Sequence, residues 1–218
     1  MMENLLDRIE SFSRLICSIG NEKDTFEEID RYFKTWPVNN NGMSGRVWIL
    51  VGKDSDNNYC SLMVAQSEDI ESEIIVDVGY MFNLEYKKQK KAAQKWDFDK
   101  EIKYNLDIIR SPQEAKINSN DNTYLFPKGS SKIRSQYLYR YLYKKYLELK
   151  LYEVDIDLYL HGDVTMSSLN PNLSMVYEFG KDYYAESKLA VETGSLFWNY
   201  YKSGVGKRSY YYFRNQQK

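Results

Sequence analysis

The sequence predicts an α+β domain in which a small mixed or antiparallel sheet is flanked by helices. Three observations carry that expectation. Two short apolar runs, 46–51 and 59–65, lie either side of a polar turn, Asp54-Ser55-Asp56-Asn57-Asn58, as the arms of a hairpin do. Residues 151–160 alternate, with Val154, Ile156, Leu158 and Leu160 on one side and Glu153, Asp155, Asp157 and Tyr159 on the other, which is the pattern of a strand with one buried face. Apolar residues recur at helical spacing in three further stretches, 3–18, 130–150 and 183–198.

Taken in order, Leu5, Ile9, Phe12 and Ile16 form one stripe of a first helix over 3–18, joined by Leu6 and Leu15. Thr25 and Glu28 fit a capping box, and Phe26, Ile29, Tyr32 and Phe33 continue a second helix that Pro37 ends. The hairpin follows. Ser72 to Tyr80, with Ile74, Ile75, Val76 and Val78, reads as a strand, and Lys87 to Lys95 as a basic helix. Residues 102–109 fit either state, and 111–130 hold the Pro, Gly, Asn and Ser of a loop. Residues 162–180 read as a second long loop. The organisation is then two N-terminal helices (1–44) and a core (45–218) interrupted by an insertion at about 68–128.

Length, 218 residues, fits one such domain, and 43% apolar with 28% charged residues is a globular composition. The net charge of −1 excludes a uniformly basic nucleic-acid coat protein, though not a local basic face. No apolar run is long enough to span a bilayer, and the acidic start lacks the layout of a signal peptide. Together with two isolated cysteines, Cys17 and Cys60, this points to a cytoplasmic chain without a disulfide framework. A single His161 excludes multi-histidine metal sites.

Charge is unevenly distributed. The first 30 residues carry eight acids and three bases. The stretch 130–150 carries six bases (Lys132, Arg134, Arg140, Lys144, Lys145 and Lys150) against Glu148 alone. After Glu192 there are five bases (Lys202, Lys207, Arg208, Arg214 and Lys218) and no acid, interleaved with Tyr200, Tyr201, Tyr210, Tyr211, Tyr212 and Phe213. Bases neutralise phosphate and aromatic faces stack on unpaired bases, so nucleic acid, with DNA first, is the expected partner. Lys132, Lys144, Lys145, Lys202, Lys207, Arg208 and Arg214 are its expected contacts.

The segment Met63-Val64-Ala65-Gln66-Ser67 resembles the second motif of the GIY-YIG endonucleases, and Gly45-Arg46-Val47-Trp48-Ile49-Leu50 occupies the place of the first. The basic helix with Arg134 and Arg140 resembles that family's arginine-bearing helix, and Leu189-Ala190-Val191-Glu192-Thr193-Gly194-Ser195-Leu196 resembles the helix bearing its metal-binding glutamate. The resemblance covers roughly 45–67 and 130–200. It implies a GIY-YIG-like core and a DNA endonuclease, possibly of restriction type. Glu192 would hold Mg²⁺ or Mn²⁺, Arg134 or Arg140 would meet the phosphorane charge, and a tyrosine would serve the attacking water. Trp48 and Met63 stand near or at the places where the family has tyrosines, which leaves Tyr59 as the substitute. The loss of those tyrosines favours an alternative: a non-catalytic protein that binds nucleic acid or a nuclease, such as a phage- or host-encoded inhibitor. A second pattern, Asp77 followed by Glu85-Tyr86-Lys87 or Glu101-Ile102-Lys103, resembles the spaced acids and lysine of PD-(D/E)xK nucleases.

Overall fold

The computed structural model describes residues 4–37, 46–82, 97–110, 131–163 and 174–198, together with 213 and 215. The elements run α1 (Leu5–Glu10), β1 (Ser13–Ser18), α2 (Glu22–Thr35), β2 (Arg46–Lys53), β3 (Tyr59–Ser67), α3 (Ile70–Phe82), α4 (Phe98–Arg110), α5 (Ser131–Lys145), β4 (Glu148–Val154), α6 (Ile156–Tyr159) and α7 (Ser174–Glu192). The four strands form one antiparallel sheet in the order β1-β4-β2-β3. The fold is α+β: among the described residues one antiparallel sheet lies between two layers of helices.

Period-2 alternation builds both layers. Along β2, Trp48 and Leu50 face a core shared with α2, α3 and α5, while Val47, Ile49 and Val51 face a second core shared with α1 and α7. β2 lies between β3 and β4, and six of its eight residues are buried, so it reads as a continuous apolar run. The hairpin has the expected turn at 54–58, where Asp54 accepts from the amides of Asp56 and Asn58, both at 2.9 Å. A bulge places Leu62 opposite no residue of β2. Beside it, Gly52 is packed so closely that a Cβ there would lie 2.6 Å from Leu62 Cδ1 and 2.9 Å from the Tyr146 ring.

Several sequence expectations are corrected. The first helix stops at Glu10 and residues 13–18 are a strand. Ser11 and Ser13 turn their hydroxyls back onto the carbonyls of Arg8 (2.7 Å) and Ile9 (2.5 Å), which ends the helix. The following segment then pairs with β4. Residues 70–82 are helical rather than extended: Ile70, Ile74, Val78 and Met81 share a buried face while Ile75 and Val76 are exposed. Asp69 caps this helix by accepting from Ser72 N at 3.3 Å. The strand expected over 151–160 begins earlier, at Glu148, and ends at Val154, so the helix expected over 130–150 stops at Lys145; Asp155 then caps the short α6 through Leu158 N at 3.1 Å. The second helix is capped by Asn21, not at Thr25. The last helix begins at Ser174, inside the stretch 162–180 expected to be a loop, and ends at Glu192 rather than Trp198, with Gly180 kinking it at φ 89°. The expected helix at 87–95 and the loop at 111–130 lie outside the described residues.

Among the described residues no helix is long and apolar enough to cross a membrane.

Candidate functional site

Glu192 closes α7, and its carboxylate is held on both oxygens. Oε2 accepts from Arg8 Nη2 at 2.6 Å and from the Tyr159 hydroxyl at 2.9 Å. Oε1 meets Lys188 Nζ, one helical turn earlier, at 3.0 Å. Lys188 also faces Asp163 at 3.8 Å, and Tyr184 donates to Asp163 at 3.1 Å. The Lys188 ammonium lies 4.7 Å from the centre of the Tyr159 ring. Burial, together with the Glu192 carboxylate beside it, holds the Tyr159 phenol well above the ordinary tyrosine range. Glu192 therefore does lie against an arginine and a tyrosine, but they come from α1 and α6 rather than from the residues expected.

This carboxylate does not fit the Mg²⁺ or Mn²⁺ that the resemblance implies. A divalent ion needs several oxygen ligands at close range. Here both carboxylate oxygens are taken by two cationic side chains, which would repel it.

Arg140 lies on the other side of the sheet. Its neighbours on α5, Leu138, Tyr139 and Leu142, belong to the core shared with α3, whereas Leu189, Ala190 and Val191, beside Glu192, belong to the opposite core. Arg140 Nη1 donates to the carbonyls of Met81 at 3.3 Å and Phe82 at 3.2 Å, satisfying the last turn of α3. The structure does not bring Arg140 and Glu192 together. The side chains of Lys132 and Arg134 lie outside the described residues, as do Lys202, Lys207, Arg208 and Arg214.

Tyr59 sits at the turn end of the hairpin, paired with Lys53 across the ladder. Its hydroxyl donates to Glu148 at 2.7 Å, and its ring is approached by Lys53 at 5.7 Å and Lys150 at 5.6 Å. The bond to Glu148, aided by partial burial, raises the phenol to about 12, so it is protonated at neutral pH. Lys144 is exposed on α5. Lys145 is bound to Asp99 and, at 2.6 Å, to the Tyr141 hydroxyl. Of the second acidic pattern, Asp77 and Glu101 sit on helices α3 and α4, and Glu85 and Lys87 lie outside the described residues.

The two most perturbed carboxyls are Glu186, which sequence reading passed over, and Asp77, which it singled out only within the second acidic pattern. Glu186 on α7 is 2% exposed. Its Oε1 accepts from Trp198 Nε1 at 2.9 Å, and its Oε2 has no hydrogen-bond partner among the described residues. Burial raises it to about 8, and Asp182 and Glu73 add to the rise against the pull of the indole. Asp77 lines a small cavity with Ile19, Trp48, Leu50, Ile74 and Tyr139, and burial lifts it to about 7. The available signal for Glu186 was its spacing: three residues after Tyr183 and four before Ala190, it shares their buried side of the helix.

Comparison with protein-family models, with curated proteins and with solved structures finds no match for this chain.

Proposed function

We propose that this chain is a non-catalytic nucleic-acid-binding protein on a GIY-YIG-like framework. One observation carries the reading: the carboxylate expected to hold a metal is already neutralised by Arg8 and Lys188, with Arg140 across the sheet from it. A hydrolytic centre needs its charged groups converging on one phosphate with capacity to spare. Here each of those groups is engaged in holding elements of the fold together. The framework part of the reading is supported by the element order. A hairpin (β2, β3) is followed by helices, a strand (β4) beside β2, and then a helix carrying Glu192.

The nucleic-acid part is supported by charge placement. The 130–150 stretch holds six bases against one acid on a chain of net charge −1, and the 26 residues after Glu192 hold five bases and no acid. Binding by such a surface weakens steeply with salt.

One observation favours the endonuclease instead, namely that Glu192 has an arginine and a tyrosine hydroxyl within 3 Å, Arg8 at 2.6 Å and Tyr159 at 2.9 Å. A single experiment separates the two. The chain and its Glu192→Ala variant are incubated with labelled DNA and plasmid in Mg²⁺ and in Mn²⁺, across a salt series. The binding protein retards DNA in a salt-dependent way, leaves the plasmid intact, and does so equally in the variant. Metal-dependent cleavage lost in a folded Glu192→Ala chain would establish the enzyme, and absence of salt-sensitive binding would remove nucleic acid as the partner.

A further inference from the structure

The edge of the sheet at β3 is closed by the chain that follows α7. Leu196 N donates to Ser61 O at 3.0 Å and Phe197 N to Leu62 O at 2.8 Å, so the turn at 195–198 is fastened onto two successive carbonyls of the β3 edge. Asn105 of α4 fastens them from outside through the Leu196 carbonyl. The last residue of this segment, Trp198, is 1% exposed and lies against Glu186 through its indole N–H.

The Glu186 carboxyl is thus sealed beneath the segment with one donor and one unpartnered oxygen. The charged groups acting on it are acids: Asp182 one turn earlier on α7 and Glu73 on α3. The next cation along α7, Lys188, is turned to Glu192 and Asp163. The carbonyls of β3 and the Asn105 amide of α4 are spent on Leu196 and Phe197. A carboxylate in that setting is penalised, whereas a neutral carboxyl is tolerated. Hydrating it requires lifting the indole that covers it.

We propose that docking of residues 195–198 onto the β3 edge takes up one proton at the Glu186 carboxyl, and that release of the segment gives it back. The segment leads directly into the tail bearing Lys202, Lys207, Arg208 and Arg214, so acidity governs how firmly the root of that tail is held. The sign follows from the two states. Docked, the carboxyl keeps its proton up to about 8. Released, it ionises near 4.5 like any exposed glutamate. Release is therefore insensitive to pH below about 4.5, becomes easier between there and about 8, and levels off above.

Amide hydrogen exchange at Leu196 and Phe197, corrected for intrinsic rates, reads the docking directly. Protection at these two amides is expected to fall by about two orders of magnitude between pH 5 and pH 8. It stays below that of Ile49 and Leu50 in β2 throughout, because release is local. Glu186→Gln flattens the pH course. Trp198→Phe, which removes the donor favouring the ionised form, lowers protection and carries the pH-dependent window higher. A flat wild-type course, a Glu186→Gln chain with the wild-type course, or protection at Leu196 and Phe197 equal to that in β2 each overturns the proposal. Should Glu186→Gln not fold, an unchanged pH window in Trp198→Phe overturns it as well.

Discussion

Glu153 and Glu192 are both glutamates bound to an arginine and a tyrosine, and their surroundings make them energetically different. Glu153 is 7% exposed on β4, flanked by β1 and β2, and receives Nε and Nη2 of Arg46 together with the Tyr32 hydroxyl at 2.6 Å. Removing one partner from a buried pair strands a charge, which costs about 3–5 kcal/mol. Arg8, by contrast, has a side chain 38% exposed, and Lys188 remains on Glu192 when it is gone. A pair with that much solvent contributes about 1 kcal/mol or less. Urea denaturation should therefore show Arg46→Ala destabilised by at least 2 kcal/mol more than Arg8→Ala; equal losses would mean that Glu153 is solvated in a way its burial does not suggest. The sequence displays a glutamate in each place with no mark of which is shielded. Nor does it show the partner that occupies Glu192, Arg8, which lies 184 residues earlier in the chain.

At the scale of elements, the hairpin tests close packing most sharply. Alanine at Gly52 would push a methyl to 2.6 Å from Leu62 and 2.9 Å from the Tyr146 ring, and both neighbours are buried. Overpacking of this kind costs about 1–3 kcal/mol, so Gly52→Ala should lower the melting temperature by several degrees; an unchanged melting point would show that Leu62 and Tyr146 yield. The hairpin was legible because its signal is local: alternation, β-branched residues and an Asp/Asn turn within about twenty residues. The basic helix before β4 was legible for the same reason. Residues 13–18 were not, because Leu5, Ile9, Phe12 and Ile16 keep a helical stripe, and only β4, some 135 residues away, makes a strand the better choice. Residues 70–82 misled in the other direction. Ile74, Ile75, Val76 and Val78 favour a strand by propensity, a preference of a few tenths of a kcal/mol per residue. Burying Ile70, Ile74, Val78 and Met81 together is worth about 1.5–3 kcal/mol each and outweighs it. The Asp69 cap was the local mark of that helix. Of the candidate site, the residue types were readable but their convergence was not, since it depends on which side of the sheet each helix packs.

For the molecule as a whole, two carboxyls sealed in opposite layers set the response to pH. Asp77 belongs to the layer of α3 and α5, and Glu186 to that of α7. Both keep their protons in the folded chain to about 7 and about 8, and both ionise in the unfolded chain near 4. The unfolded state therefore binds fewer protons over that interval, and stability falls as pH rises from about 4 to 8, by roughly 4 kcal/mol per carboxyl as an upper bound. On the acid side the opposite holds for Glu148, kept below the ordinary range by Tyr59 and Lys53, and for Asp99, kept low by Lys145 and Tyr141; their bonds are lost as pH drops below about 4. Those two are exposed and contribute little. The melting temperature should thus peak near pH 4–5 and decline through neutrality, in contrast to the maximum between pH 5 and 8 that a fold stabilised by paired carboxylates displays. Scanning calorimetry of wild type and of Asp77→Asn with Glu186→Gln tests this: the double variant should lose most of the decline above pH 5. A wild-type maximum near pH 7, or a double variant that declines in parallel with wild type, would show that these carboxyls are ionised in the folded chain and that water reaches both layers of the core.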